Sequence, residues 1–415
     1  MPVTEAGART LESPEERRQR IRLGWLLAVL AGIGVLLAVI VPSASLTFDL
    51  ADEALPDLVL PTKPLAVALA AYMVLIAALH MARGVHASLL TLFVLAFVLT
   101  FLCWAVADQT FPLTNQLQGT MGLATPLILG AMAGVLCERA GVINIAIEGQ
   151  FLAGAFAGAV IGTMSGSSLV GIVGAMLAGL LIAAMLAVFS IRYRVNQVVL
   201  GVVLVVFATG ITGFLLDSFV STDSTRFNSP EVLSSVPIPL LADIPVLGPV
   251  LFDQTLLVYS MYLIVAALFV VLWHTRWGLR VRAVGEHPRA ADTVGIKVLR
   301  VRYQAVLIGG LFAGLGGAFY TIGSTGAFQK EMTAGNGFIA LAAVIMGRWH
   351  PIGAMGAALF FGFTTQLQSQ LQIVETPVPS ELFGMTPYLA VIIAVAGLAG
   401  RVRPPKAEGE PYPPG

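Results

Sequence analysis

Polar residues that could line a path through a membrane cluster in one apolar stretch of the sequence. Asn144, Glu148 and Gln150 lie among apolar neighbours, and polar side chains at membrane depth need partners or a water-filled cavity. A helix would place Asn144 and Glu148 on one face. We interpret all three as candidates for a translocation pathway. The alternative is a structural cluster in which Glu148 pairs with Arg139, and packing is favoured for the two amides because amides often link helices.

Four more residues complete the set of pathway candidates. Asn196 and Gln197 stand at the start of an apolar run, where helix capping is the favoured alternative because Asn is a good N-cap residue. Asn336 and Phe338 begin the apolar run 336–347, which is short for a span and could be half of a broken helix. Discontinuous helices often mark substrate sites in transporters. The alternative is an external turn followed by a short helix.

Glycines are concentrated in residues 309–326. Gly310 and Gly314 form a GxxxG pair, and Gly316 and Gly317 continue it. Small residues with this spacing let two helices approach closely within a membrane. We therefore predict close helix packing at this segment.

Residue patterns for catalysis or cofactor binding are missing from the sequence. It has two cysteines and five scattered histidines, with no HExxH spacing and too few cysteines for a disulfide framework. It also has no GxxxxGK[ST] phosphate loop. We therefore predict that the protein is not an enzyme and has no catalytic, cofactor-binding or metal-binding residue. If ATP powers it, a partner chain must bind the ATP.

The composition predicts an all-α fold, a polytopic transmembrane helical bundle. Hydrophobic residues make up 57% of the chain and charged residues 11%, whereas soluble domains have roughly 25% charged residues. The formal net charge is zero, so nothing points to nucleic acid as a partner. Apolar runs near the ~20 residues that a span requires predict about twelve helices, including short or re-entrant segments. They are residues 23–41, 64–82, 88–107, 116–136, 150–164, 168–190, 197–216, 256–273, 303–322, 336–347, 352–371 and 385–400.

The distribution of Lys and Arg predicts that both termini are cytoplasmic. With that orientation, all of the 23 basic residues except Lys63, Arg226 and Lys330 fall on the cytoplasmic side. Such a bias is what the positive-inside rule demands. A register shifted by one helix would scatter it.

The sequence divides into four parts. Residues 1–22 are predicted to form a polar cytoplasmic segment, and residues 23–115 an extension of about three transmembrane helices. Residues 116–400 form the core that carries the polar residues at membrane depth. Residues 401–415 are rich in Pro and Gly, and we predict a disordered cytoplasmic tail.

Two loops of the core stand out. The external loop, residues 217–254, is acidic and broken by prolines, which predicts an ordered cap or a short helix with extended segments. The cytoplasmic loop, residues 274–302, is rich in arginine. Within it, Pro288 suits the first turn of a short exposed helix, and Gly295 would end that helix.

Four stretches of the core resemble the permease subunits of ABC importers for nucleosides. These permeases belong to a larger group that also serves simple sugars and branched-chain amino acids. The stretches are ERAGVINIAIEGQ (138–150), NQVVLG (196–201), TRWGLRVRAVGEHPRAADTVGI (275–296) and GFIALAAVIMGRWHPIGA (337–354). The resemblance covers about residues 116–400, and its last stretch favours nucleosides over the other substrates. It implies a type II ABC importer-like bundle in the bacterial cytoplasmic (inner) membrane.

The resemblance also implies the partners of the chain. A second, related permease pairs with it in the bilayer, and two copies of an ATPase subunit bind below. A binding protein outside the cytoplasm delivers the nucleoside. It is either a lipid-anchored extracytoplasmic lipoprotein or a periplasmic protein. The cytoplasmic loop then carries a coupling helix within residues 285–294. By this analogy the ATPase contact comprises Gly285, Glu286, Pro288, Arg289, Ala290, Ala291 and Asp292.

Other functions are compatible with parts of this pattern. The chain could be an ABC permease for a simple sugar or a branched-chain amino acid. It could also be an ion-coupled secondary transporter in which Glu148 carries a proton or a sodium ion. A structural membrane protein would not need a polar core interrupted by glycines, so we expect a transporter.

Overall fold

The computed structural model describes residues 14–50, 55–373, 385 and 403–413 of the chain. The described residues are mainly helical, as the composition predicts. The helices are α1 (Pro14–Ile40), α2 (Thr62–Arg83), α3 (Ala87–Ala105), α4 (Leu113–Arg139), α5 (Ile147–Ser165), α6 (Ser168–Ala187), α7 (Gln197–Ser218), α8 (Ser224–Phe227), α9 (Leu256–His274), α10 (Arg276–Glu286), α11 (Pro288–Thr293), α12 (Val298–Tyr320), α13 (Asn336–Met346) and α14 (Pro351–Ile373). The strands are β1 (Ser45–Asp49), β2 (Leu58–Pro61), β3 (Thr110–Pro112), β4 (Val236–Pro237) and β5 (Asp253–Gln254).

Nine helices among the described residues are long and apolar enough to cross a membrane. They are α1 to α7, α9 and α12, with π-helical or 3-10 turns extending α6, α7 and α12. The predicted run 336–347 is the short apolar helix α13, and the run 352–371 lies in α14. The predicted span 385–400 lies outside the described residues, apart from Met385.

The first compact unit of the chain contains α1, α2 and α3 together with a small sheet of order β2-β1-β3. Strand β1 pairs antiparallel with β2 and parallel with β3. Leu46 and Phe48 of β1 are buried, and their neighbours along the strand are only partly buried. The Phe48 ring packs edge-on against Phe111, with centroids 5.9 Å apart. Three helices lie in this unit, and its sheet was not predicted because strands of three to five residues leave only a short alternating pattern in the sequence.

The second compact unit contains the described residues from 114 to 370 and the tail. Its centre is the close packing of α6 against α12 at their glycines. A Cβ added to Gly179 would lie 2.5 Å from the Cα of Gly314, and one added to Gly314 would lie 2.9 Å from the Cα of Met176. Gly310 faces Ala183 in the same contact. The close packing predicted from the GxxxG pair is confirmed.

A turn at residues 140–146 separates α4 from α5, where the sequence suggested a broken segment. Gly141 adopts a positive φ of 84°, a conformation that a residue with a Cβ rarely adopts. The chain reverses here, and α5 begins at Ile147. Asn144 therefore lies in the turn and Glu148 in the first turn of α5, so the two do not share one face of a single helix.

Residues 274–302, the predicted cytoplasmic loop, are largely helical. The predicted short helix is confirmed as α11, and Gly295 follows it with a positive φ of 84°. Helix α10 was not predicted. Its buried residues Gly278, Val281, Val284 and Gly285 recur every three or four positions, the spacing that gives a helix one apolar face.

Residues 217–254, the predicted external loop, combine short helical turns with extended segments, as predicted. A 3-10 turn and α8 follow α7, and strands β4 and β5 pair antiparallel before α9. Asn228 fastens the loop to the segment after α12, because its side chain donates to the Phe328 carbonyl at 2.9 Å and accepts from the Phe328 N–H at 2.6 Å.

The prediction of a disordered tail is wrong for residues 403–413. These residues form turns that pack against the second unit, with Ala407 and Tyr412 buried. The Ala407 N–H donates to the Gly285 carbonyl at 2.9 Å. Composition alone predicted disorder because the segment has few apolar residues, but the few it has are the ones that become buried.

Candidate functional site

The carboxylate of Glu148 holds the start of the half-length helix α13. Its Oε1 accepts hydrogen bonds from the Thr333 hydroxyl at 2.6 Å and the Gly335 N–H at 2.8 Å. Its Oε2 accepts from the Gly337 N–H at 2.6 Å. Glu148 is 7% exposed. A buried carboxylate thus occupies the N-terminus of α13, where unpaired N–H groups and the helix dipole favour negative charge.

The glycines before and within this N-terminus are required by its geometry. Gly335 has a positive φ of 82°, and Gly337 packs directly on the start of α5. A Cβ at Gly337 would lie 2.5 Å from the Cα of Glu148 and 2.8 Å from its Oε2. The apolar run after Gly335 is therefore a short helix that follows a turn, and its first residues pack against a carboxylate distant in sequence.

The alternative in which Glu148 pairs with Arg139 is wrong. The Arg139 guanidinium instead donates to the main-chain carbonyls of Trp349 at 2.9 Å and Arg348 at 3.3 Å. Glu148 is occupied by the three donors at the start of α13. These contacts could not be anticipated from spacing, because Thr333 lies far from Glu148 in sequence and had no signal beyond its place before two glycines.

The predicted amide candidates Asn144 and Gln150 bind each other. Each side-chain NH₂ donates to the other's carbonyl oxygen at 3.2 Å, and both side chains are fully buried. The pair joins the 140–146 turn to the first turn of α5. Gln197 fixes the same turn to α7, because its Oε1 accepts from the Ile143 N–H at 2.7 Å. The packing alternative describes these contacts.

Asn196 is the N-cap of α7, as its favoured alternative predicted. Its Oδ1 accepts from the N–H groups of Val198 at 3.0 Å and Val199 at 3.1 Å. Substitution Asn196→Ala should destabilise the chain by about 1 kcal/mol, the usual cost of losing such a cap. Thermal unfolding in detergent measures this, and Asn196→Ser should recover most of the loss. A substrate-specific uptake defect in Asn196→Ala at unchanged stability would contradict the capping role.

Asn336 and Phe338 are the pathway candidates at the start of α13. Asn336 is the first residue of α13 and is half-buried. Phe338 is 47% exposed. They lie within one turn of the Glu148 cradle, so the structure brings Glu148, Asn336 and Phe338 together. Asn144, Gln150 and Gln197 meet in the neighbouring turn.

The predicted coupling residues divide into a buried and an exposed set. Gly285 and Ala291 are buried, and a Cβ at Gly285 would lie 2.9 Å from the Arg139 carbonyl carbon. The exposed set consists of Glu286, Arg289, Ala290 and Asp292, with Pro288 half-buried between the two sets. Helix α10 thus rests on the end of α4, and α11 leaves Arg289, Ala290 and Asp292 exposed.

An aromatic and cationic cluster connects this end of α4 with neighbouring helices. The Arg139 and Arg282 guanidinium groups each lie 5.5 Å from the Trp273 ring centroid. The His350 ring lies 4.6 Å from Trp273, and burial together with the Arg139 charge lowers the pKa of His350. The Trp349 indole N–H donates to a Glu138 carboxylate oxygen. The corner between α13 and α14 is therefore bound to the end of α4 and packs against Trp273 of α9.

The tail reaches the same cluster through Glu408. Burial raises the pKa of Glu408 to about 7, and hydrogen bonding to Glu138 and the nearby Arg139 charge oppose that increase. Two carboxylates and one guanidinium therefore meet where the tail lies on the end of α4. This contact was missed from the sequence, because the tail offered only a Pro- and Gly-rich composition.

A family model described as the permease component of branched-chain amino acid transport systems matches residues 116–396. The chain belongs to this family. It is a multi-pass membrane protein and a transport component. The matched range agrees with the predicted 116–400 core.

Similar proteins carry more specific names. The chain is 41% identical to the guanosine ABC transporter permease protein NupQ of Bacillus subtilis, over 71% of this chain and 94% of the relative. It is 39% identical to the nucleoside ABC transporter permease protein NupC of Lactococcus lactis, over 70% and 93%. It is 35% identical to the putative glucose ABC transporter permease protein TsgC13 of Haloferax volcanii, over 62% and 77%. No solved structure matches the chain.

Proposed function

We propose that the chain is the membrane-spanning subunit of an ATP-driven ABC importer for nucleosides. The observation that carries the proposal is its identity of 41% and 39% to two nucleoside-type permeases over nearly their whole lengths. A second permease completes the pathway, an ATPase subunit supplies the ATP chemistry, and an extracytoplasmic binding protein delivers the nucleoside. The protein lies in the cytoplasmic membrane with both termini inside.

Movement passes from the ATPase to the pathway through packed elements. The ATPase pushes on α11, and α10 transmits the displacement to the end of α4 because Gly285 packs on Arg139. Arg139 also binds the carbonyls of Arg348 and Trp349, so the displacement reaches the end of α13. The start of α13 is held by Glu148. Asn336 and Phe338 beside it would then face the nucleoside as the cavity changes from outward-facing to inward-facing.

Glu148 fits this scheme better as a structural anchor than as an ion carrier. A carboxylate that already accepts from three donors has little capacity left for a proton or sodium ion. The geometry of Glu148 therefore favours ATP-driven import over the ion-coupled alternative.

The proposal is tested by uptake into proteoliposomes that contain this chain, its ATPase, the second permease and the binding protein. Labelled guanosine or another nucleoside should enter only when the ATPase is supplied with ATP, and excess unlabelled glucose should not compete. Replacement of residues 286–291 by Gly and Ser should abolish uptake while the chain stays in the membrane. Uptake that continues without ATP and collapses with a protonophore would refute the proposal. Competition by glucose would show that the substrate is a sugar and not a nucleoside.

A further inference from the structure

The tail segment, defined here as residues 403–413, is fastened to the coupling helices at both of its ends. Near its start the Ala407 N–H donates to the Gly285 carbonyl at 2.9 Å, where α10 ends. Near its end the Tyr412 hydroxyl donates to an Asp292 carboxylate oxygen at 2.7 Å on α11. The tail therefore crosses the junction of α10 and α11 and contacts both helices.

Two further contacts fix the middle of the tail segment to the membrane helices. The Arg302 guanidinium of α12 donates to the Glu410 carbonyl at 2.9 Å, and Arg302 is only 1% exposed. The Gly409 N–H donates to the Gly141 carbonyl at 3.3 Å. A buried guanidinium needs hydrogen-bond partners, and a main-chain carbonyl of the tail supplies one. The tail is thus part of the fold at this end of the second unit.

A groove of about 380 Å³ runs between the tail segment and the start of α11. One wall consists of Glu286, His287, Pro288 and Arg289, and the other of Lys406, Ala407, Glu410, Pro411, Tyr412 and Pro413. Each wall carries an exposed acid and an exposed base, which are Glu286 and Arg289 on one side and Glu410 and Lys406 on the other. Such a surface suits a polar protein partner, because charged groups on both walls can fix the orientation of docking.

We propose that the tail segment and α11 form one composite docking surface for the ATPase subunit, with the tail as its second wall. The inference rests on the proposed function, which places the ATPase on α11. We assign the ATPase to the groove because the groove is continuous with the proposed ATPase contact. Both include the exposed residues Glu286 and Arg289. The tail also acts on α11 itself, because the Tyr412–Asp292 hydrogen bond restrains the helix that must transmit the movement.

The experiment uses the whole transporter and the substitution Lys406→Cys. Lys406 is exposed, and the chain's own Cys103 and Cys137 are buried, so a short bifunctional thiol reagent should join Lys406→Cys to engineered surface cysteines of the ATPase. Arg194→Cys, an exposed residue in the turn before α7, is the matched control and should give no such product. Absence of the Lys406→Cys product in a transporter that imports nucleoside overturns the inference.

Tyr412→Phe and a deletion of residues 404–415 give the functional measurement. Tyr412→Phe removes one hydrogen bond and should lower ATPase retention and ATP-driven uptake together by roughly 2- to 10-fold, whereas Tyr193→Phe at an exposed tyrosine should change neither. The deletion should abolish both. If the deleted chain fails to fold, Tyr412→Phe and the crosslink decide. If the tail variants import nucleoside as well as the wild-type transporter does, the docking role of the tail is overturned and the proposed function stands. If the full-length wild-type chain does not import nucleoside, the proposed function itself is overturned.

Discussion

Substitution Gly337→Ala is expected to lower nucleoside uptake by at least tenfold. The added Cβ would lie 2.5 Å from the Cα of Glu148 and 2.8 Å from its carboxylate oxygen, and neither the helix backbone nor a carboxylate held by three donors can move away freely. Relief of the overlap must separate α13 from α5 and lengthen the Gly337–Glu148 hydrogen bond. Overpacking and a lost buried hydrogen bond each cost roughly 1–3 kcal/mol, enough to displace the start of α13.

Uptake into proteoliposomes at matched protein levels measures the effect of Gly337→Ala. The control is Gly356→Ala in α14, because a Cβ at Gly356 meets no atom within 4 Å. Both substitutions add the same methyl group to a helical glycine, so the difference between them reports on the contact with Glu148. Normal uptake by Gly337→Ala would show that the position of α13 relative to α5 does not matter for transport.

Local patterns in the sequence predicted the helical elements well, because each depends on residues close together in the chain. The apolar run after Gly335 predicted a half-length helix, and Pro288 with Gly295 predicted α11, and both helices are present. In each case the Gly or Pro that marks the end of the helix is adjacent in sequence to the residues of the helix itself. Helix α10 was missed because its basic exposed face made the segment look like a charged loop.

Contacts between distant residues could not be predicted in the same way. Glu148 was correctly singled out as a buried polar residue, but its partners lie at Thr333 to Gly337, more than a hundred positions away. The alternative interpretation paired Glu148 with Arg139 only because Arg139 lies near it in the sequence. The tail failed for a related reason, since the fit of Tyr412 beside Asp292 cannot be seen from composition.

The contacts of the second unit explain why its polar residues are distributed as they are. Arg139 ties α4 to the end of α13, while Glu148 ties α5 to its start. The half-length helix is thus held at both ends by charged side chains from two consecutive helices. Helix α13 is therefore coupled to both α4 and α5.

Substitution Gly179→Leu is expected to prevent normal assembly of the second unit. A Cβ at Gly179 would already lie 2.5 Å from the Cα and 2.6 Å from the nitrogen of Gly314, and a leucine adds three more carbons toward the backbone of α12. The backbone cannot rotate away as a side chain can, so α6 and α12 must separate. Because small residues are what permits close helix approach in a membrane, the expected cost exceeds the roughly 1–3 kcal/mol of ordinary overpacking.

Thermal unfolding and size-exclusion chromatography of the detergent-solubilised chain measure the effect of Gly179→Leu. The apparent Tm should fall measurably below that of the wild-type chain, or the variant should aggregate. Gly210→Leu in α7 is the matched control, since a Cβ there meets no atom within 4 Å, and it should leave the Tm nearly unchanged. Equal stability of the two variants would mean that α6 and α12 are not packed through their glycines.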